Sequence, residues 1–251
     1  MRKPLWQLVI LLVLGAASFV AGARELRVAG THFARIYEVT PRGDYVGLAT
    51  DLLREMARRG GDTLRFDMYP WPRAQSTVEQ GEADILVGPY RTPERDLRFA
   101  FMDRAFYQDQ MVFYVRHDKS IGWDGSYGTL RGKRIATVRG WAYGSVFDQS
   151  RGAMKIEEVQ SLERGLLMLA QDQIDLLATN ERNTEGAMPR LNLSAKLHPI
   201  QPRIDVQSGY FAFPKTAAHA PLRDKYNAIF NEMVASGELA RIAKRHGVRI
   251  P

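Results

Sequence analysis

Twice along this chain, short β-rich runs alternate with stretches whose apolar residues recur at helical spacing. That pattern constrains the fold more than any other feature, because strand–helix alternation argues for an α/β unit with a mostly parallel sheet. In the first half, residues 26–29 read as a strand, and His32 to Tyr37 as the first loop. Residues 51–59 read as a helix with Leu52, Leu53 and Met56 on one face, capped by Thr50 or Asp51 and ended by Gly60-Gly61. A strand is predicted over 64–69, a loop over Pro70-Trp71-Pro72-Arg73, a short helix over 74–80 and a strand over 84–87. The second half repeats the alternation: strand 134–138, helix 142–149, strand 154–158, helix 161–171 with Ser161 as cap, strand 174–178. A late strand over 210–213, closed by Pro214, precedes two C-terminal helices separated at Gly237 and expected to pack on the first lobe.

Within this frame, the stretch from Asp84 to Tyr107 has the most chemical content. The apolar run Ile85-Leu86-Val87 suits a buried strand, and Gly88-Pro89 is expected to stop it and turn the chain. Thr92-Pro93-Glu94-Arg95 follows at once. In open α/β sheets ligands bind beyond the carboxyl ends of the strands. Arg95 is therefore placed to hold an anion; the competing reading is a surface arginine paired with Glu94 or Asp96.

The N-terminus carries an address. Arg2 and Lys3 precede an apolar run from Leu5 to Val20, and Ala21-Gly22-Ala23 fits a small-x-small cleavage site. Residues 1–23 are read as a cleaved signal peptide, and the mature protein as a soluble periplasmic one. The apolar run is short for a bilayer span of roughly 20 residues. The formal net charge is +7; loss of Arg2 and Lys3 leaves about +5. The arginines are scattered, without the clustered stripe that nucleic-acid binding asks for. There are no cysteines, which excludes a disulfide framework, a thiolate nucleophile and a cysteine zinc site. The five histidines lack metal-ligand spacing, and no nucleophile-elbow, phosphate-loop or dinucleotide pattern occurs. No catalytic residue, metal or cofactor is expected.

Four stretches in order resemble one family. Gly43-Asp44-Tyr45-Val46-Gly47 runs into Asp51-Leu52-Leu53; Gly81-Glu82-Ala83-Asp84 is followed by Thr92-Pro93-Glu94-Arg95 and the aromatic segment 99–107; residues 132–140 open the second unit; residues 222–248 hold a helix pair around Gly237. Together they resemble the family 3 periplasmic solute-binding proteins, the polar amino-acid-binding type that serves ABC transporters. The resemblance implies a type II periplasmic-binding-protein fold: two α/β lobes joined by a hinge of two crossover strands, near 107–110 and 206–209. It places lobe 1 at 24–108 plus 208–251 and lobe 2 at 109–207. It implies a monomer that captures a small polar, carboxylate-bearing solute by hinge closure and hands it to a membrane permease. Alternatives are a sensory or accessory module for a membrane signalling protein, and a dehydratase-like enzyme with Glu181 or His32 as acid or base.

The resemblance also implies site residues. Arg95 takes the place of the family's carboxylate-clamping arginine, matching a carboxylate with two parallel hydrogen bonds. Gly88 and Tyr90 occupy the turn that offers ligand contacts, with no donor at Pro89. Thr92 either contacts the ligand or holds the turn. In the first loop, Tyr37 is a candidate to stack on the ligand and Arg35 to add positive charge; Trp71, with Arg73 beyond it, stands at a further strand end. In the second lobe Gly140 precedes Trp141, where the family carries threonine or serine; Trp141 either closes the cleft or packs in the core. Asn180 falls where the family places an ammonium-binding aspartate, unless Glu181 takes that role. A neutral amide does not neutralise a cation, so an anionic ligand is expected.

Overall fold

The computed structural model describes residues 24–251, so the signal-peptide reading of residues 1–23 lies outside the described residues. Eleven strands and eight α-helices are found there. Strands β1 (Glu25–Gly30), β4 (Thr63–Met68) and β5 (Ile85–Tyr90) run parallel in the order β4-β1-β5. Strands β8 (Arg134–Val138), β9 (Lys155–Val159) and β10 (Leu176–Asn180) run parallel in the order β10-β8-β9. Between these two groups lie β7 (Tyr107–Arg116) and the 18-residue β11 (Leu197–Pro214), paired antiparallel to each other. β11 pairs outward with β5, and β7 with β10. The short β6 (Phe99–Phe101) joins β11, while β2 (Glu38–Val39) and β3 (Tyr45–Val46) form a separate hairpin.

Helices α1 (Leu48–Gly60), α2 (Trp71–Glu79) and α3 (Pro93–Arg98) belong to the first lobe; α4 (Ser145–Ser150), α5 (Leu162–Ala170) and α6 (Glu181–Ala187) belong to the second. The C-terminal α7 (Ala220–Ala235) and α8 (Glu238–His246) pack on α1, as expected. An Arg59–Glu238 ion pair of 2.5 Å and a Lys225–Asp62 pair of 2.6 Å tie them there. Every residue of β5 is buried, in keeping with its apolar start. Among the described residues no helix is long and apolar enough to cross a membrane.

Several local expectations are corrected. Helix α1 starts at Leu48, ahead of both suggested caps. The amides of Leu48 and Ala49 donate to the carbonyls of Arg35 and Ile36, at 2.9 and 3.0 Å. The first loop thus satisfies the free amides of the helix start, and no side-chain cap is needed. Gly88-Pro89 does not stop β5. The strand continues to Tyr90 through a bulge: Val87 pairs with Phe211 and Tyr90 with Gly209, so the residues between them skip one register position. A bulge tolerates the missing proline donor. The Pro70–Arg73 segment is largely the first turn of α2, where proline is well accommodated. The late strand is far longer than its apolar core, because residues 197–200 and 205–209 pair with β7 although they show no regular apolar alternation.

Candidate functional site

The loops after β1, β4 and β5 in the first lobe face the loops after β8 and β10 in the second. Their tips touch. Helix α3 presents Arg95 on its first turn, held by Thr92, whose hydroxyl accepts the Arg95 amide at 3.2 Å. The Arg95 side chain points into the crevice. Its Nη1 donates to the Tyr90 carbonyl and its Nη2 to the Gly140 carbonyl of the other lobe, both at 2.8 Å. Its guanidinium lies 5.6 Å from the centre of the Trp71 ring. Trp71 Nε1 donates to the same Gly140 oxygen at 3.0 Å. Phe33 meets Trp71 edge-on at 5.5 Å.

Arg95 is 5% exposed. Among the described residues no carboxylate lies within ion-pairing distance of it. The neighbouring acids are engaged elsewhere, Asp96 with Arg91 at 2.8 Å and Glu94 with Arg98 at 3.5 Å. Burial without a counter-ion pushes the Arg95 pKa down. The surface-arginine reading is thereby excluded.

A second buried arginine has the opposite setting. Arg182 of α6 binds both oxygens of Asp109 on β7, at 2.8 and 2.7 Å. It also donates to the Ala34 carbonyl and, at 3.0 Å, to Asn183 Oδ1. The Ala34 amide donates to Asn183 Oδ1 at 2.9 Å. The ion pair with Asp109 raises the Arg182 pKa even though burial opposes it. Tyr90 Oη donates to Asp109 at 2.6 Å and accepts from Asn180 Nδ2 at 3.2 Å. Burial and the adjacent Asp109 carboxylate hold the Tyr90 hydroxyl well above its ordinary pKa, so it stays a donor.

These contacts leave a central crevice of only about 10 Å³, lined by Phe33, Trp71, Gly88, Tyr90, Arg95, Trp141, Ala142 and Asn180. Two wider grooves flank it. One, of about 810 Å³, runs past α3, Gly140–Ala142 and α4 and also reaches Arg95. The other, of about 670 Å³, runs past His32, Arg73, Arg139 and Asn183. Trp141 lines all three spaces.

Of the residues expected at the site, Gly88, Tyr90, Arg95, Trp71, Gly140, Trp141 and Asn180 come together. Gly88 has φ +79°, and a Cβ there would lie 3.2 Å from the Phe33 ring and 3.0 Å from Tyr107 Oη. Thr92 spends its hydroxyl on the α3 cap. Tyr37 does not reach the crevice. It is fully buried in the first lobe against Tyr45 and Phe66, with its hydroxyl donated to the Asp67 carbonyl at 3.1 Å. A ring with no exposed surface has nothing to stack with, so its stacking role is withdrawn. Arg35 also lies elsewhere, donating to the Gly247 carbonyl at 3.0 Å beside a separate cavity of about 190 Å³. Glu181 lines that same cavity, so Asn180 is the residue that faces the crevice.

Phe33, Asp109, Arg182 and Asn183 were not anticipated. One signal was available for Asp109: it alternates with Tyr107 and Met111 along β7, on the buried face of a strand.

A family model described as bacterial extracellular solute-binding proteins, family 3, matches residues 26–249. The chain belongs to this family. This solute-binding protein is thus a binder of small molecules rather than an enzyme. Among the described residues no cluster of side chains suits a metal ion. Solved structures share its fold. A histidine kinase sensor domain with similarity to periplasmic binding proteins superposes with a TM-score of 0.81 at 19% identity, covering 91% of this chain and 99% of that one. An ancestral arginine-binding protein bound to arginine gives 0.75 at 19% identity, covering 88% and 97%. A substrate-binding protein of an ABC uptake transporter from Streptococcus pneumoniae with bound histidine gives 0.73 at 17% identity, covering 88% and 91%. No curated protein sequence matches.

Proposed function

We propose that this solute-binding protein captures a small, carboxylate-bearing polar solute between its lobes and delivers it to an ABC transporter. The observation that carries the reading is Arg95: a buried guanidinium without a carboxylate partner, aimed at the seam between the lobes. Burying a cation is costly unless an anion joins it. A carboxylate arriving from the grooves would replace the Gly140 carbonyl on Nη2 with a charge-assisted bond, contributing roughly 1.5–3 kcal/mol. The crevice is too small for such a solute in the present arrangement; on this reading the lobes part to admit it.

The hinge we propose lies where β7 and β11 pair, Tyr107 opposite Gly209 and Gln110 opposite Val206. On this reading residues 24–108 with 208–251 move as one lobe and 109–207 as the other. The solute drives closure through contacts it makes only when both lobes reach it. The protein works as a monomer in the periplasm, with a membrane permease as its downstream partner. A second reading, a sensory module, is favoured by the likeness in fold to a kinase sensor domain.

A thermal-shift screen of amino acids, dicarboxylates and aromatic acids tests the binding claim, because a ligand bound only by the native state raises Tm. Carboxylates are expected to raise it, and Arg95→Ala to abolish the rise. Stabilisation by cationic amines alone, or a rise that survives Arg95→Ala, would sink the reading. Solute uptake by cells with and without the gene separates transporter from sensor.

A further inference from the structure

We infer that the solute held in this crevice carries no ammonium group: it is an amine-free carboxylate with a flat, apolar body. The inference rests on the carboxylate reading of Arg95 and names the chemistry of the remainder of the ligand. An α-amino acid needs an anion or free acceptors for its ammonium beside the cation that takes its carboxylate. The crevice lining includes no acid, and the Gly140 carbonyl that a carboxylate would release from Arg95 still accepts Trp71 Nε1.

Its one acidic side chain in reach, Asp109, is consumed. Both of its oxygens bind Arg182, and the Tyr90 hydroxyl occupies one of them as well. Asn180, on the crevice wall of the second lobe, presents the wrong end. Its Oδ1 is turned back to accept the Asn183 amide at 2.9 Å as the cap of α6, and its Nδ2 faces Tyr90. Rotating the amide would set the nitrogen against the Asn183 N–H and lose the cap bond. The hydrogen bonds therefore run one way, from Asn180 through Tyr90 to Asp109, and offer donors where an ammonium needs acceptors. The Gly88 carbonyl already accepts Tyr107 Oη at 2.8 Å. Of the acids lining the 810 Å³ groove, Asp148 pairs with Arg151 at 2.9 Å and Glu94 with Arg98 at 3.5 Å, while Asp205 accepts two neutral donors, the Val206 amide and the Gln207 side chain, both at 2.7 Å, and does not line the crevice.

What remains free is aromatic. Phe33, Trp71, Tyr90 and Trp141 line the crevice around Arg95. Such walls favour a planar hydrocarbon body carrying a single carboxylate.

The test compares pairs of probes differing only in the ammonium, on the intact mature protein: 3-phenylpropionate against L-phenylalanine, and glutarate against L-glutamate. Calorimetric titration is expected to give 3-phenylpropionate at least tenfold tighter binding than L-phenylalanine, and glutarate tighter binding than L-glutamate. Asn180→Asp, checked for folding by circular dichroism, should narrow the first gap by supplying an acid. The wild-type comparison stands even if that variant does not fold. Equal or tighter binding of the amino acids, lost in Arg95→Ala, overturns this inference and leaves the carboxylate reading intact. Binding of none of the four overturns both.

Discussion

Arg182 and Asp109, 73 positions apart in the chain, join through two hydrogen bonds of 2.7 and 2.8 Å in a part of the protein that water barely reaches. Arg95, equally buried, has only carbonyl oxygens for partners. The same side chain thus serves in two roles within one seam. Arg182 is neutralised by the protein itself. Arg95 carries a charge that no carboxylate among the described residues neutralises.

The contrast predicts unequal costs of removal. Arg182→Met leaves Asp109 as a buried, unpaired carboxylate and is expected to cost about 3–5 kcal/mol. Arg95→Met removes two hydrogen bonds but also relieves an uncompensated charge, so its cost is expected near 1–2 kcal/mol. Urea unfolding of the two variants measures the difference. Equal losses would mean that Arg95 is as well compensated as Arg182.

Gly209 sits opposite Tyr107 in the antiparallel pairing of β7 with β11. A Cβ at this position would lie 1.8 Å from Tyr107 Cε1. Since Tyr107 Oη is anchored to the Gly88 carbonyl at 2.8 Å, the ring cannot shift without losing that bond. Gly209→Ala is expected to cost about 3 kcal/mol, a fall in Tm of roughly 6–12 °C. Calorimetric melting checks it; an unchanged Tm would show that the two strands separate freely at this pair.

On α1, Glu55 receives hydrogen bonds from Arg58 and Arg59, at 2.7 Å to one of its oxygens in each case. These arginines lower its pKa from 4.5 to about 2. The folded value lies below the unfolded one, so the contribution is full above about pH 4.5 and is lost as pH falls towards about 2. Both arginines are partly solvated, which limits the effect to about 1 kcal/mol or less. Glu55→Gln should therefore lower stability at pH 7 slightly and flatten its acid dependence in that window. Urea midpoints at pH 3 and pH 7 for both proteins provide the measurement.

The two-lobed α/β plan was legible because it rests on periodicity. Apolar runs such as Ile85-Leu86-Val87 and the spaced leucines of α5 declare their elements locally. The position of Arg95 at the crevice was legible from its place after β5. The rest depends on tertiary context. Tyr37 reads as a loop aromatic that could stack on a ligand, yet Tyr45 and Phe66 enclose it. The start of α1 was misplaced because its amides are met by carbonyls of the preceding loop, and such bonds carry no side-chain signal. The first half of β11 mixes apolar, polar and proline residues without regular alternation, and its pairing with β7 makes it a strand. Arg182 and Asp109 were overlooked for a similar reason: a buried ion pair is a relation between distant residues, and neither member announces its partner.

The length of β11 also bears on how the chain comes to be folded. β5 can pair with β1 on one side as soon as both have been made, but its other neighbour is the last strand of the sequence. Until β11 arrives, β5 keeps an open edge of unpaired amides and carbonyls, the kind that invites wrong partners. Strands β8, β9 and β10, by contrast, pair among themselves within one unbroken stretch. The first part of the protein to be synthesised is therefore the last to be sealed, and the period of greatest exposure to aggregation falls between the emergence of β5 and that of β11.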